Sequence, residues 1–395
     1  MKDTRKEDSF WELAKHNLRH YSMFIMLALI ITGFAFMTGY VNINARNVTN
    51  IFIQNSYILV LAIGMVLVII IGNIDLSVGS VVAFTGALGA MIYNLGLGIL
   101  PTLILTMLIG GFIGVFQGYL VAFVKIPAFI VTLGGMLLFR GLTYIVTNVT
   151  PVSLRDDRFR KISSGSLSPE IFQVGDLHLF PLIVGVILLS FYIIMTLRDR
   201  KRKIANDFHV LPFKYFLLKT GILSLVALIL CWKFANYRGL PTVFVVLAIA
   251  IGIYVFITNN TVFGRYIYAV GGNARSAKLS GINSEMVIFL VHVNMGILCG
   301  LSGIIFTAYM NSALPQAGNM FELDAIASCF IGGASASGGI GTIIGAITGG
   351  LVMGVINNGM SLMNIGADWQ YVVKASVLLL AVWYDIYTRK RSGVV

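Results

Sequence analysis

Charge is the scarcest property of this chain: Asp, Glu, Lys and Arg supply only 11% of its 395 residues, against about 25% in a soluble globular domain. That shortage excludes a water-soluble fold of ordinary composition. Cysteine is scarcer still. Cys231, Cys299 and Cys329 each sit inside an apolar run, and none has a metal-type partner at short spacing. The three are expected to serve packing and not a disulfide framework or a zinc site. No glycine-rich loop ends in Gly-Lys-Ser/Thr, so the phosphate cradle of a Walker A ATPase is missing. No His-Glu-x-x-His zinc motif occurs either. Gly339-Ile340-Gly341-Thr342-Ile343-Ile344-Gly345 misses the dinucleotide fingerprint, because its third glycine comes one residue late and membrane-length apolar runs surround it. Asp75 lacks the Gly-x-Gly lead of an intramembrane aspartyl protease. These absences argue against a membrane enzyme.

What the chain has instead is hydrophobic length. Apolar residues make up 57% of it, and a bilayer-spanning helix needs about 20 of them in succession. Runs of that kind lie near 22–40, 56–72, 77–95, 99–122, 128–147, 179–197, 215–234, 241–258, 287–310, 324–337 (short), 341–360 and 371–387. They are continuous and not alternating, which predicts helices and not a barrel. The fold class expected is therefore an all-α polytopic membrane protein with about 10–12 transmembrane or re-entrant helices. Residues 1–21 read as a charged cytoplasmic segment, 22–387 as the transmembrane domain and 388–395 as a basic cytoplasmic tail. The first apolar run is long and lacks a small-residue cleavage site, so a retained span is expected and not a signal peptide. The net charge of +12 is no sign of nucleic-acid binding here. Its densest clusters, Arg198 to Lys203 and Arg389-Lys390-Arg391, place both termini in the cytoplasm by the positive-inside rule.

Two regions match at a constant offset of 260 residues: Ile71-Gly72 with Ile331-Gly332, Ser77 with Ser337, Gly79 with Gly339 and Gly89 with Gly349. The repeat is weak, yet repeated halves with glycine-broken helices are typical of transporters. Gly110, Gly114 and Gly118 form one small-residue seam, and Gly341, Gly345 and Gly349 another. Both are expected to pack helices within the chain. The polar stretch 148–178 suits either an external cap on which a second protein rests or a solvated loop.

Asp75, in Gly72-Asn73-Ile74-Asp75-Leu76-Ser77-Val78-Gly79, is an acid at a membrane boundary and so a functional candidate. Proton relay is one role. Capping of the next helix by Asp75 or Ser77 is the preferred one, because the small residues around them suggest a tight helix break. Asp324 reads likewise as the N-terminal cap of a short helix. Arg140, Lys374, His292, Asn294, Asn357, Asn358 and Gln370 are the other polar groups in or beside spans. A path lined by amides and hydroxyls suits a neutral polyol, although amides also serve as interhelical glue. A proton-coupled carrier would want several mid-span acids, and only Asp75 and Asp324 are available.

Gly271 to Asn283 is a polar, small-residue island between two apolar runs. Ala274, Ala277, Lys278 and Gly281 recur at helical three- and four-residue steps, so a short helix there would present a small-residue face. A soluble partner could approach its backbone, with Arg275 and Lys278 available for charge pairing.

Taken in order, Gly72 to Ser80, Ile126-Pro127-Ala128-Phe129-Ile130-Val131-Thr132-Leu133-Gly134, Phe139-Arg140-Gly141, Ala269 to Asn283, Glu322 to Ala327 and Ile331 to Ser335 resemble the permease subunit of bacterial ABC importers for monosaccharides. The resemblance runs from about Asn47 to Arg391. Its ending, Asn357-Asn358-Gly359-Met360-Ser361 and then Trp369 to Lys374, is similar to the xylose and multiple-monosaccharide subgroup. The longer 150–240 region departs from the common core. The resemblance implies a homodimer of permeases in the bacterial inner membrane, surrounded by lipid, with a separate sugar ABC ATP-binding subunit and an extracytoplasmic sugar-binding protein as partners. The membrane subunit would itself hold no cofactor or metal and hydrolyse no ATP. Coupling to the ATPase would fall to Gly272, Asn273, Ala277, Gly281 and Ile282. Asp75, Ser77, Gly79, Asp324, Gly333, Asn357 and Asn358 are the candidates for the translocation path or its helix breaks. The alternative is an ion-coupled secondary transporter acting alone, which would have no use for the docking island.

Overall fold

A computed structural model describes residues 10–392 other than 207, 209 and 211. Residues 1–9 of the expected N-terminal segment and 393–395 of the expected tail lie outside the described residues. The elements in chain order are α1 (Phe10–Met37), α2 (Ala45–Ile70), α3 (Val78–Asn94), α4 (Ile99–Ala122), α5 (Ala128–Thr147) and the single turn α6 (Lys161–Ser164). They continue with α7 (Phe180–Ala205), α8 (Phe213–Ala235), α9 (Thr242–Asn260), α10 (Val262–Leu279), α11 (Ser284–Met310), α12 (Phe321–Ile331), α13 (Ile343–Leu362) and α14 (Ala367–Ser392). Among the described residues eight helices are long and apolar enough to cross a membrane, and Met23–Met37 and Val78–Asn94 are shorter apolar segments. The all-α polytopic class read from the sequence is the observed one. The run expected at 324–337 is no span: α12 has 11 residues and ends at Ile331.

α2 is the axis of the bundle. Every residue from Ser56 to Ile71 except Tyr57 is buried, and α2 packs on α8, α9, α11, α12 and α13. An apolar helix buried on all sides needs neighbours around its whole circumference, which this arrangement supplies. α7 and α8 lie at the other extreme. They pack on each other and leave Ile187, Leu188, Leu217 and Leu218 about 60% exposed, as lipid-facing helices do.

The helices come close where glycine permits it. A Cβ on Gly110 of α4 would stand 2.2 Å from Gly296 O of α11, and one on Gly296 would stand 2.1 Å from Gly110 O. The second seam behaves alike: a Cβ on Gly345 or on Gly332 would stand 2.2 Å from the other's carbonyl oxygen. Both seams therefore hold helices together within the chain.

Two breaks interrupt the bundle. α2 ends with Gly72 at φ +80°, whose N–H donates to Ile69 O at 2.9 Å while Asn73 N–H donates to Val68 O at 3.0 Å. α12 ends the same way: Gly333 has φ +83°, its N–H reaches Phe330 O at 3.0 Å, and Ala334 N–H reaches Cys329 O at 2.9 Å. This paired pattern of bonds is the left-handed glycine stop of a helix. Past each stop, a side-chain oxygen holds the N–H two residues on. Ser77 N–H donates to Asp75 Oδ1 at 2.8 Å and Ser337 N–H to Ser335 Oγ at 3.2 Å. The second pair of residues stands 260 positions after the first, so the weak sequence repeat is a repeated helix–break–helix device.

One face of the bundle is covered by 148–178. Val152 pairs antiparallel with Ala313 and Ser153 with Ser312, Phe159 is wholly buried, and Leu167 N–H donates to Leu240 O at 2.9 Å. This segment is an anchored cap, not a freely solvated loop. α7 and α9 both start from this cap and run to the opposite face. That face consequently holds the Arg198–Lys203 cluster and α10.

Candidate functional site

The sequence candidates separate into three places. The first is a polar cavity of about 770 Å³ between the starts of α2, α12 and α14 and the end of α13. Asp324 and Lys374 stand in its wall, with Lys374 Nζ donating to Asp324 Oδ2 at 2.9 Å. The expectation that Asp324 caps α12 is corrected here. It is the fourth residue of the helix, Met320 occupies the cap position at φ +66° without a side-chain cap bond, and the carboxylate turns to Lys374 instead. Asn357 and Asn358, the other path candidates, line the same cavity. Asn358 and Asn47 exchange amide hydrogen bonds at 2.7 and 3.0 Å, so this amide joins α2 to α13. Asn357 Oδ1 and Asp324 Oδ1 are buried without any partner.

The sequence reading missed the amides of α2. Asn47, Asn50 and Gln54 recur at three- and four-residue steps and line the cavity above Tyr57. The apolar window that marked a span from 56 onward cut them off, although α2 is helical from Ala45. A helical stripe of amides leading into an apolar run was the available signal. Tyr57 and Phe321 lie with ring centroids 4.6 Å apart, and Phe306 backs both, at 4.9 and 5.2 Å.

The second place is the break between α2 and α3. Asp75 is 3% exposed, and its Oδ1 accepts from Ser77 N–H at 2.8 Å and Ser77 Oγ–H at 2.7 Å. Gln117 Nε2 of α4 donates to Ser77 Oγ at 2.9 Å. Asp75 Oδ1 thus closes the turn that precedes α3; Ser77 occupies the cap position of that helix, and no side-chain cap bond is made there. Gly79 is buried against the segment before α12: its missing Cβ would stand 2.1 Å from Gly318 O. Arg140 Nη1 fixes that same segment through Ala317 O at 2.5 Å. Gly333 belongs to the second break. The structure does not bring the Asp75 turn into the cavity that holds Asp324.

The third place is the island on the opposite face. α10 is two helices merged across Asn273, whose φ of −162° and ψ of 101° are not helical. Asn273 Oδ1 accepts from Ser276 N–H at 2.9 Å, capping the short helix that follows. Gly281, at φ +84°, closes that helix: its N–H donates to Lys278 O, and Ile282 N–H to Ala277 O, each at 3.0 Å. Ala277 is 5% exposed and packs in the main core, so its side chain does not lie on the outward face. Arg275, Ser276, Lys278 and Leu279 form that face, with Leu279 84% exposed. Lys278 Nζ pairs with Glu285 at 2.5 Å. Gly272 is exposed, while Gly271 lies against the end of α2, where a Cβ would meet Ile70 O at 1.8 Å. Ile70 O also accepts from Gly339 N–H at 2.8 Å. The island thereby touches both helix breaks at once.

Helices stopped by glycine inside the bundle, a polar cavity near one face and a capped helix exposed on the other define a membrane permease. The chain belongs to the family described as Branched-chain amino acid transport system / permease component, whose model matches residues 47–382. It is 37% identical over 387 residues to the Xylose transport system permease protein XylH of Escherichia coli (strain K12), covering 97% of this chain and 95% of that one. The protein of the same description from Haemophilus influenzae is 36% identical, over 96% of this chain and all of its own. The Ribose import permease protein RbsC of Escherichia coli (strain K12) is 32% identical over 92% of each chain. No solved structure matches the chain.

Proposed function

We propose that this chain is the membrane subunit of an ATP-driven importer of a monosaccharide, xylose or a related pentose or hexose. The relatives named for xylose and ribose transport along nearly their whole length carry the reading, and the amide-lined cavity suits a neutral polyol. In this reading the cavity opens toward an extracytoplasmic sugar-binding protein that brings the substrate. The face bearing Arg198–Lys203 is cytoplasmic, and both termini lie on it. The exposed helix that ends at Gly281 receives a separate ATP-binding subunit through Arg275, Leu279 and the backbone around Gly272, Asn273 and Gly281. Ala277 and Ile282 seat this helix on the core and do not meet the partner directly. A push on it reaches Ile70 and Gly339, the ends of the two breaks, and so can change how α2 and α13 meet around the cavity. An ATPase of this kind works as a dimer, so one coupling helix per chain calls for a two-fold permease homodimer.

The test is reconstitution in liposomes with an ATP-binding subunit and a sugar-binding protein of a monosaccharide importer from the same organism. Labelled xylose, ribose, galactose and leucine are offered with and without ATP. ATP-dependent uptake of a sugar is the expected result. Uptake driven by an ion gradient in the permease alone, or uptake of leucine only, would overturn the reading.

A further inference from the structure

The polar cavity holds more hydrogen-bonding capacity than the fold uses. Asp324 Oδ1 and Asn357 Oδ1 are buried and lack partners, and Gln54, in the same wall, makes no hydrogen bond among the described residues. A buried acceptor without a donor is destabilising, so groups left this way inside a cavity point to a visiting donor. The surroundings specify its chemistry. Amides both donate and accept, as hydroxyls do. The Asp324–Lys374 pair cancels its own charge, and Arg46 stands exposed at the rim. A free cation would meet Lys374, and an anion would have to displace Asp324 from it. At the floor, Tyr57 and Phe321 offer ring surface for an apolar C–H face.

From this geometry we propose that the permease itself binds one monosaccharide in this cavity. Asp324 Oδ1, Asn357 Oδ1 and the Gln54 amide hold its hydroxyls, and its C–H face lies on Tyr57 and Phe321. The proposal rests on the sugar-importer reading above. At about 770 Å³ the cavity exceeds a single sugar ring, so water fills the remainder and binding is weak. A translocation path needs a site that is easily left.

The test uses the full chain alone in nanodiscs, with saturation-transfer NMR to D-xylose, D-ribose, D-glucose and, for contrast, L-leucine at millimolar concentration. Transfer to at least one sugar and none to leucine is expected. Gln54→Leu and Asn357→Leu should each weaken sugar binding about tenfold. Asn357→Leu should leave Tm unchanged or higher, because it deletes a polar group the fold does not satisfy. Asp324→Asn is added as a third variant; since it disturbs the ion pair, the two leucine variants decide. No transfer to any sugar, transfer to leucine, or unaltered sugar binding in the two well-folded leucine variants would overturn the proposal. ATP-dependent sugar uptake by the reconstituted complex is measured in parallel. Uptake without transfer in nanodiscs removes the subsite and leaves the importer reading. Transfer without uptake does the reverse.

Discussion

Asp324 and Lys374 meet at 2.9 Å across α12 and α14, their side chains 7% and 16% exposed. Neither helix could bring its charge this deep alone, because an unpaired ion out of water is costly. The pair ties the short helix of the second break to the last helix of the chain.

Lys374→Met should therefore leave Asp324 unpaired and lower stability by about 3 kcal/mol, the low end for breaking a buried pair, since the cavity admits water. The double variant Asp324→Asn/Lys374→Met should lose less than the two single changes summed. Thermal unfolding of the four proteins in one detergent measures the coupling. Additive losses would mean that the two groups do not act as a pair.

At the α4–α11 seam, Gly110→Leu and Gly296→Leu each put a side chain into opposing backbone 2.2 and 2.1 Å from the new Cβ. The backbone cannot yield there as a flexible side chain would, so destabilisation of at least about 3 kcal/mol is expected. Gly141→Leu, with nothing within 4 Å of its Cβ, is the control and should express normally. Folded yield after detergent extraction, read by size-exclusion chromatography, makes the comparison.

The membrane class, the seams and the glycine stops were legible because each depends on local composition. Spans need apolar length, close helix contact needs absent side chains, and Gly72 and Gly281 adopt the positive φ that glycine alone takes without strain. The cavity was legible only in part. Asn357, Asn358, Gln370 and Lys374 stood out as polar groups in or beside spans, but Asn47, Asn50 and Gln54 did not, because α2 begins eleven residues before the apolar window did. Asp324 looked like a cap, since an acid near the start of a helix usually is one. Its partner Lys374 is 50 residues away, and no local pattern records a contact of that range. The burial of Ala277 was hidden for a related reason: periodicity gives the faces of a helix and not which face meets the core.

The purified chain should hydrolyse no ATP, having no Walker A loop, and the active complex should contain two copies of it. Native mass spectrometry of the assembled transporter, combined with an ATPase assay of the permease alone, tests both. A single permease copy per active ATPase pair would contradict the symmetry argument.

The exposed helix gives the sharpest separation between a docking role and a structural one. Leu279 is 84% exposed while Ala277 beside it is 5% exposed, so the same short helix offers one position for each role. Leu279→Asp removes apolar surface from the outward face without entering the core. It should abolish ATP-driven uptake and co-purification of the ATP-binding subunit while leaving stability within about 0.5 kcal/mol of wild type, read by thermal unfolding. Ala277→Glu should instead fail by misfolding, because it forces a carboxylate into the core of the bundle. Gly281→Leu is intermediate. The space around its Cβ is open, so the cost is the left-handed backbone, about 1 to 2 kcal/mol, and uptake should fall more than expression does. Lys278→Arg keeps the charge toward Glu285 and should be mild. If Leu279→Asp transports sugar at the wild-type rate and still retains the ATP-binding subunit, this helix is only a connector, and the proposal of an ATP-driven permease loses its best support.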